Sequence, residues 1–465
     1  MSTRRSYKHW SVPLVAGALA LGGIPALTAT AGAATPAPAR DDFDGDGYQD
    51  LAVGAPNATV GGQSGAGYVV VMYGGPHGLT KARRTVISRA TTGIPGSPAL
   101  GEAFGIQLSK GDLDGDGRTD LVIGHTSTRT DAVVVWGGAN GLSGGTSVPA
   151  ASTQTGDFDG DGKQDLVLFR GGRSGMDDPF GTKATVWTGP LSRSGSPAAT
   201  KPFGPTDLTY YDVVGSAAGD VDGDGRDELA VSIYYGDGGY GSKFYRPAAT
   251  GDAFTSATDT APESEGGAAF GDVNGDGYGD FVRGDQNKST ITVALGSAGG
   301  LSPASTWKTY SQNTPGVPGG RETVDYFGSS VSVGDINGDG YEDVAVGAPG
   351  EELGYNDGAG VVDVLYGSRN GLTGKGAQAF SQNTAGVPGA VETSDSFGGS
   401  VRLLDINGNG YADLAAAATY ENAGAGAVWS LRGRPTGVVT DAAFTFGGKT
   451  VGAPYVKAGF GRELK

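Results

Sequence analysis

Hard oxygen donors recur along this chain at one fixed spacing. In Asp335-Ile336-Asn337-Gly338-Asp339-Gly340-Tyr341-Glu342-Asp343, side-chain oxygens stand at positions 1, 3, 5 and 9, and position 7 can offer the Tyr341 carbonyl. Gly340 at position 6 permits the sharp turn, and together these are the ligand spacing of a calcium loop. The chain has no Cys and no His near these residues, which argues against zinc or copper. A short apolar run follows the loop where an EF-hand would need an amphipathic helix, so β structure has to hold it.

The spacing recurs as Asp42, Asp44, Asp46 and Asp50; Asp112, Asp114, Asp116 and Asp120; Asp157, Asp159, Asp161 and Asp165; Asp220, Asp222, Asp224 and Glu228; Asp272, Asn274, Asp276 and Asp280; and Asp405, Asn407, Asn409 and Asp413, making seven copies. The first and last copies start at Asp42 and Asp405, a mean period of about 60 residues, somewhat longer than common four-stranded propeller blades. Each copy runs into a short apolar strand, as in Asp50-Leu51-Ala52-Val53 and Asp343-Val344-Ala345-Val346. Such strands are expected where neighbouring sheets cover both faces. A further strand follows at residues 67–73, with echoes at 132–136, 184–187, 291–295, 361–366 and 427–431, and several end in a glycine turn before Leu79, Leu142, Leu301 and Leu372.

Of 465 residues, 87 are Gly and 23 are Pro. The glycines stand at fixed offsets between apolar runs, so they read as turn punctuation in an all-β fold rather than as disorder. Residues 1–34 read as a signal peptide: Arg4, Arg5 and Lys8 form a basic start, 12–27 an apolar stretch, and Ala31-Gly32-Ala33-Ala34 a cleavage region. The segment Thr3-Arg4-Arg5-Ser6-Tyr7 loosely resembles a twin-arginine signal. Residues 35–41 then form a Pro/Ala tether and 42–465 one repeat domain, expected to be exported, without a membrane anchor, and monomeric. Without Cys there are no disulfides to brace an exported chain, which leaves calcium as the candidate staple.

The formal charge is −17, and the seven loops carry 24 of the 50 acidic residues. So dense a set of carboxylates needs a cation nearby. Nucleic acid is excluded as a partner, because phosphate binding requires a basic surface.

A third signature precedes the loops: Phe104-Gly105, Phe327-Gly328 and Phe397-Gly398, with a weaker echo in Val214-Gly215. The linkers at 311–319 and 381–389 are near copies. No Phe-Gly precedes the loop at Asp42, whereas Ala458-Gly459-Phe460-Gly461 stands unused at the other end. Both irregularities vanish if the last strand joins the first blade and closes a ring.

Phe-Gly, then the acidic nonapeptide, then Gly347-Ala348-Pro349 resembles the FG-GAP repeat of integrin α-subunit propellers and of exported bacterial relatives. Gly54-Ala55-Pro56 retains the last element, which is lost at Gly124-His125 and Phe169-Arg170. The resemblance implies a seven-bladed β-propeller whose loops join the first and second strands of each blade around structural Ca²⁺, up to seven ions. It adds as ligands the position 7 carbonyls of Tyr48, Arg118, Lys163, Arg226, Tyr278, Tyr341 and Tyr411. Glu228 carries an extra methylene at position 9, and Asn409 leaves the last loop with two carboxylates, so that loop is expected to bind most weakly.

Other motifs read as structure. Arg283-Gly284-Asp285 falls on a repeat strand, where its side chains are expected to pack. Gly141-Leu142-Ser143-Gly144-Gly145 matches the hydrolase elbow in letters only, since no strand-to-helix turn is expected there. His77 and His125 stand in unrelated contexts. Tyr210, Tyr211, Tyr234, Tyr235, Tyr240, Trp136, Trp187, Trp307 and Trp429 could stack on sugars, with core packing favoured for Trp136 and Trp429. The leading expectation is a non-catalytic binding or adhesion module for an extracellular protein or glycan, its ligand site opposite the calcium turns by analogy with integrins. The alternative is a carbohydrate-active enzyme, a polysaccharide lyase or glycosidase, or a lectin on the same scaffold.

Overall fold

The computed structural model describes residues 41–126, 131–171, 178–257, 261–262 and 265–465. The expected targeting segment, 1–34, and the tether up to residue 40 lie outside the described residues. The rest forms seven four-stranded antiparallel sheets, each laid out in the order first, second, third, fourth strand. The second blade, for example, runs Leu108–Gly111, Asp120–Ile123, Ala132–Trp136 and Ser143–Val148, and the sixth Ser330–Gly334, Asp343–Ala348, Val361–Tyr366 and Thr373–Phe380. The fold is the expected seven-bladed β-propeller.

The strand after each acidic loop is buried along nearly its whole length, as Leu51–Ala55 and Asp343–Ala348 illustrate. A strand alternates its side chains between two faces, so Leu51, Val53 and Ala55 pack toward the seventh blade while Ala52 packs toward the second. Seven such apolar clusters lie one at each junction between consecutive blades. First strands of adjacent blades touch one another around the axis. There the contacts are polar: Ser109 Oγ lies 2.6 Å from Thr153 Oγ1, and Gln107 Nε2 donates to Val214 O at 3.0 Å.

The ring closes through the last strand. Glu463–Leu464 pairs antiparallel with Gly54 and Val53, serving as the first strand of the first blade. Phe460 is fully buried among Tyr68, Phe446 and Ala417. The Gly461 N–H donates to Gly54 O at 3.0 Å, as Gly328 donates to Gly347 O at 3.0 Å.

This contact explains the glycines of the Phe-Gly and Gly-Ala-Pro signatures. Gly328 and Gly461 hold φ of 95° and 89°, which L side chains rarely adopt. A Cβ on Gly347 would collide with the carbonyl oxygen of Gly398 in the next blade, and one on Gly54 with that of Gly105. The two signatures are therefore halves of one junction between blades.

The sequence motifs read as structural behave so. Arg283 is 1% exposed within Asp280–Asp285, and its Nη1 donates to Ser232 Oγ at 3.0 Å. Burial pushes its guanidinium down to about 10. Ser143 begins the strand Ser143–Val148 with no helix behind it. Trp136 and Trp429 are buried. The third strand of the fourth blade, Gly239–Pro247, lay hidden in the sequence because its Gly, Ser and Lys break any apolar run.

Candidate metal sites

Six of the acidic loops are turns between a first and a second strand, and the loop at 42–50 leads into the second strand of the first blade, whose first strand comes from the other end of the chain; in each the backbone winds around its own carboxylates. In the sixth blade Asp335 Oδ1 accepts from Gly338 N at 2.6 Å and Oδ2 from Gly340 N at 3.0 Å. Asn337 Oδ1 accepts from Asp339 N at 2.9 Å, and Asp339 Oδ1 from Tyr341 N at 3.1 Å. Asp343 at position 9 takes Ile336 N at 2.9 Å and Gly367 N at 2.8 Å, so it ties the loop to the turn after the third strand. Asp50, Asp120, Asp165 and Asp280 repeat both contacts. Glu228 makes the first with Val221 N.

In the first four loops the carboxylates at positions 1, 3 and 9 bring an oxygen each within 4.8 Å of the others: Asp42, Asp44 and Asp50; Asp112, Asp114 and Asp120; Asp157, Asp159 and Asp165; Asp220, Asp222 and Glu228. This set of converging hard oxygens fits Ca²⁺. The position 5 carboxylates Asp46, Asp116, Asp161 and Asp224 stand outside those groups and meet basic side chains: Arg83 reaches Asp46 at 2.5 Å and Asp44 at 3.0 Å, and Arg193 reaches Asp116 at 3.0 Å. Lys163 reaches Asp161, and Arg226 reaches Asp224. Sequence reasoning missed these partners, because Arg83 and Arg193 come from distant turns. Among the described residues, no Lys or Arg pairs with the carboxylates of the fifth and sixth loops.

Burial pushes the position 9 carboxyls up, against the pull of their backbone N–H donors: Asp50 and Glu228 to about 8, Asp120, Asp280 and Asp343 to about 7, Asp165 and Asp413 to about 6. A neighbouring dication would favour the ionised form. The seventh loop is turned in on itself: Asn407 Nδ2 donates to Asp413 Oδ2 at 2.7 Å, and Arg432 lies 3.8 Å from the same oxygen.

The loops also touch one another around the ring. The N–H of Glu342, at position 8 of the sixth loop, donates to Asp272 O, and corresponding bonds run from Thr119 to Asp42, Asp227 to Asp157, Gly279 to Asp220 and Ala412 to Asp335. Position 7 side chains lie over the position 4 glycine of the preceding loop: Tyr341 over Gly275, Tyr411 over Gly338, Tyr48 over Gly408 and Tyr278 over Gly223. Position 7 thus contributes a side-chain contact that its carbonyl role did not foretell.

The opposite face has a different character. In an antiparallel blade the turns between strands 1 and 2 and between 3 and 4 share one face, while the 2–3 turns and the connections to the next blade share the other. The eleven large hydrophobic side chains exposed among the described residues lie on that second set or, for Tyr235 and Tyr240, on the strand ends beside it: Leu100, Phe180, Tyr210, Tyr235, Tyr240, Val324, Tyr326, Tyr355, Tyr420, Tyr455 and Val456. Tyr234 packs against Tyr240, ring centroids 5.0 Å apart and planes tilted by 51°.

Fold and site together define a β-propeller with an acidic hairpin loop in every blade. Residues 35–72, 327–365 and 397–431 match the FG-GAP repeat family, and 112–168 match the FG-GAP-like repeat. The chain is 31% identical to integrin alpha pat-2 of Caenorhabditis briggsae over 231 residues, which are 45% of this chain and 18% of that protein. It is 38% identical to integrin alpha-8 of Mus musculus over 130 residues, 28% of this chain and 11% of that one. It therefore spans less than a fifth of the length of these relatives. A solved structure of an AofleA mutant from Arthrobotrys oligospora covers 73% of this chain, and this chain 88% of it, at 8% identity and a TM-score of 0.37. The chain is thus a seven-bladed β-propeller that carries FG-GAP repeats over those segments and is similar there to integrin α chains.

Proposed function

We propose that the protein is an exported, calcium-loaded propeller of the bacterial type, a non-catalytic binding module for an extracellular protein or glycan. The acidic loops hold Ca²⁺ as staples, and recognition takes place on the other face. The supporting observation is the segregation of every exposed large hydrophobic side chain among the described residues to the connections opposite the acidic loops and the strand ends beside them. Exposed apolar side chains gathered on one face mark interaction surfaces, and tyrosines suit both protein and sugar ligands. Among the described residues no helix is long and apolar enough to cross a membrane.

The test is an array of glycans and extracellular proteins probed with the parent chain and with the double variant Tyr326→Ala, Tyr355→Ala, with and without EDTA. Binding lost in the double variant and weakened by EDTA is the expected result. The carbohydrate-active alternative requires paired carboxylates and aromatics near the axis. The polar contacts between first strands instead join Ser109 to Thr153 and Ser216 to Gln154, beside a mixed charge cluster of Lys110, Arg402, Asp41, Glu463 and Lys465. Turnover of a polysaccharide would overturn the non-catalytic reading.

A further inference from the structure

Three connections between blades are copies of one turn, at residues 88–96, 311–319 and 381–389. In each, the N–H of Ser88, Ser311 or Ser381 donates to the hydroxyl of Thr91, Thr314 or Thr384, at 3.0, 2.9 and 2.9 Å. The second residue differs: Arg89, Gln312 and Gln382. Arg89 is 3% exposed and fills the junction of the first two blades with positive charge, its Nε on Glu102 Oε1 at 2.9 Å and its Nη1 and Nη2 on the carbonyls of Pro95 and Asp131 at 2.8 and 2.6 Å.

At the junction of the fifth and sixth blades the same turn brings a neutral amide to a more acidic place. Gln312 Nε2 donates to Glu351 Oε2 at 2.7 Å, while Gln312 Oε1, on a side chain 3% exposed, accepts no hydrogen bond from the protein. Asp363, 0% exposed, lies beside Gln312, Glu351 and Asp325; the Gln312 amide, already donated to Glu351, is the donor that faces it, and neither Asp363 oxygen meets it at full hydrogen-bond geometry. Asp325 holds the place of Glu102, two residues before Phe327 as Glu102 is before Phe104. Among the described residues, no Lys, Arg or His forms an ion pair with Asp325, Glu351 or Asp363. Buried carboxyl groups that share a single amide donor are unfavourable as anions unless one of them holds a proton or a positive charge stands between them.

We propose that Asp363, Gln312 and Glu351 bind a divalent cation of the calcium class between the fifth and sixth blades, at the place where Arg89 puts its guanidinium in the second. All the donors are hard oxygens, carboxylate and amide, which suit Ca²⁺. The seventh blade supplies an internal control. It keeps Gln382, Glu421 and Asp395, but Trp429 stands where Asp363 stands, opposite Ala416 as Asp363 is opposite Val346, and its Nε1 donates to Pro388 O at 2.7 Å. That junction lacks the central ligand and holds no ion. The bound cation ties together the two connections that carry Tyr326 and Tyr355, which already meet through Gly350 N and Asp325 O at 3.0 Å.

The site lies on the face opposite the acidic loops, so its test separates from theirs. Crystals of the full chain grown with manganese chloride as a calcium surrogate are expected to give an anomalous peak at Asp363 and Gln312, and none at Gln382. In equilibrium dialysis with calcium chloride, Asp363→Asn and Gln312→Arg each lose one bound equivalent. In EDTA, Gln312→Arg loses less melting temperature than the parent, because the guanidinium replaces this one ion while the acidic loops still give up theirs. Absence of the peak together with unchanged stoichiometry in Gln312→Arg overturns the proposal, leaving Asp363 protonated or hydrated, and does so even if Asp363→Asn fails to fold. Absence of peaks at the acidic loops would bear on the earlier reading alone.

Discussion

Glu342 and Asp272 are bonded twice across a blade junction: Glu342 N donates to Asp272 O at 3.0 Å, and Glu342 Oε2 accepts from Asp272 N at 2.7 Å. Asp272 is position 1 of the fifth loop, and Glu342 precedes position 9 of the sixth, so each loop braces its neighbour. Glu342→Ala leaves the Asp272 N–H without its acceptor. A loss of about 1–3 kcal/mol is expected in urea denaturation, with Glu342→Gln closer to the parent because it retains an acceptor oxygen. Equal stability of all three chains would show that the contact is incidental.

Closure by the last strand makes Phe460 a core residue of the first blade. Phe460→Ala should cost about 3–5 kcal/mol, the range for a buried aromatic, although it stands only five places before Lys465. A solvent-exposed mutation near a terminus would cost almost nothing, so thermal denaturation separates the two cases clearly.

Chelation is expected to lower the melting temperature, and the fall should be reversed by calcium and not by magnesium, which keeps its waters and demands a tighter octahedral shell. Unchanged melting in EDTA would remove the stapling role. Asp343→Ala should be more harmful than chelation at one loop, since it also strips the acceptors from Ile336 and Gly367.

Arg83 competes with a cation for Asp44 and Asp46. Arg83→Gln is therefore expected to raise calcium affinity at the first loop, most visibly at low ionic strength. The seventh loop, with Asn407 turned onto Asp413, is expected to be the weakest site, and Asn409→Asp to strengthen it. Site-resolved titration by NMR or by terbium luminescence checks both.

Glu421 provides the pH test. Burial first, with Asp395 beside it, pushes its carboxyl up to about 7, against the donor from Gln382. The folded state therefore holds a proton that the unfolded state releases near its ordinary value, about 4.3. Its contribution to stability is present at acid pH and is lost as pH rises from about 4.3 through about 7. Glu421→Gln removes this loss, so the variant should gain on the parent between pH 5 and pH 8. Parallel pH profiles would refute the assignment.

Blade number, loop positions and ring closure were legible in the sequence because each rests on a local requirement that one strand or turn must meet by itself. An acidic nonapeptide needs glycine at its tight turn, a strand covered on both faces must be apolar, and an unmatched Phe-Gly needs a missing partner. The third strand of the fourth blade was not legible, because Gly239–Pro247 is held by pairing with its neighbours rather than by an apolar run. The third copy of the turn at 88–96 was obscured by Arg89, whose charge hid its kinship with Gln312 and Gln382.

What local pattern alone determined, then, was the repeating hairpin and its oxygen donors, since spacing along a few residues dictates both. Tertiary structure alone decided which of those donors converge, that Arg83 and Arg193 answer some of them, that Glu342 bonds to Asp272, and that Asp363 faces Gln312. Those relations join residues from different turns or blades, and their geometry exists only once the ring has closed and set one blade against the next.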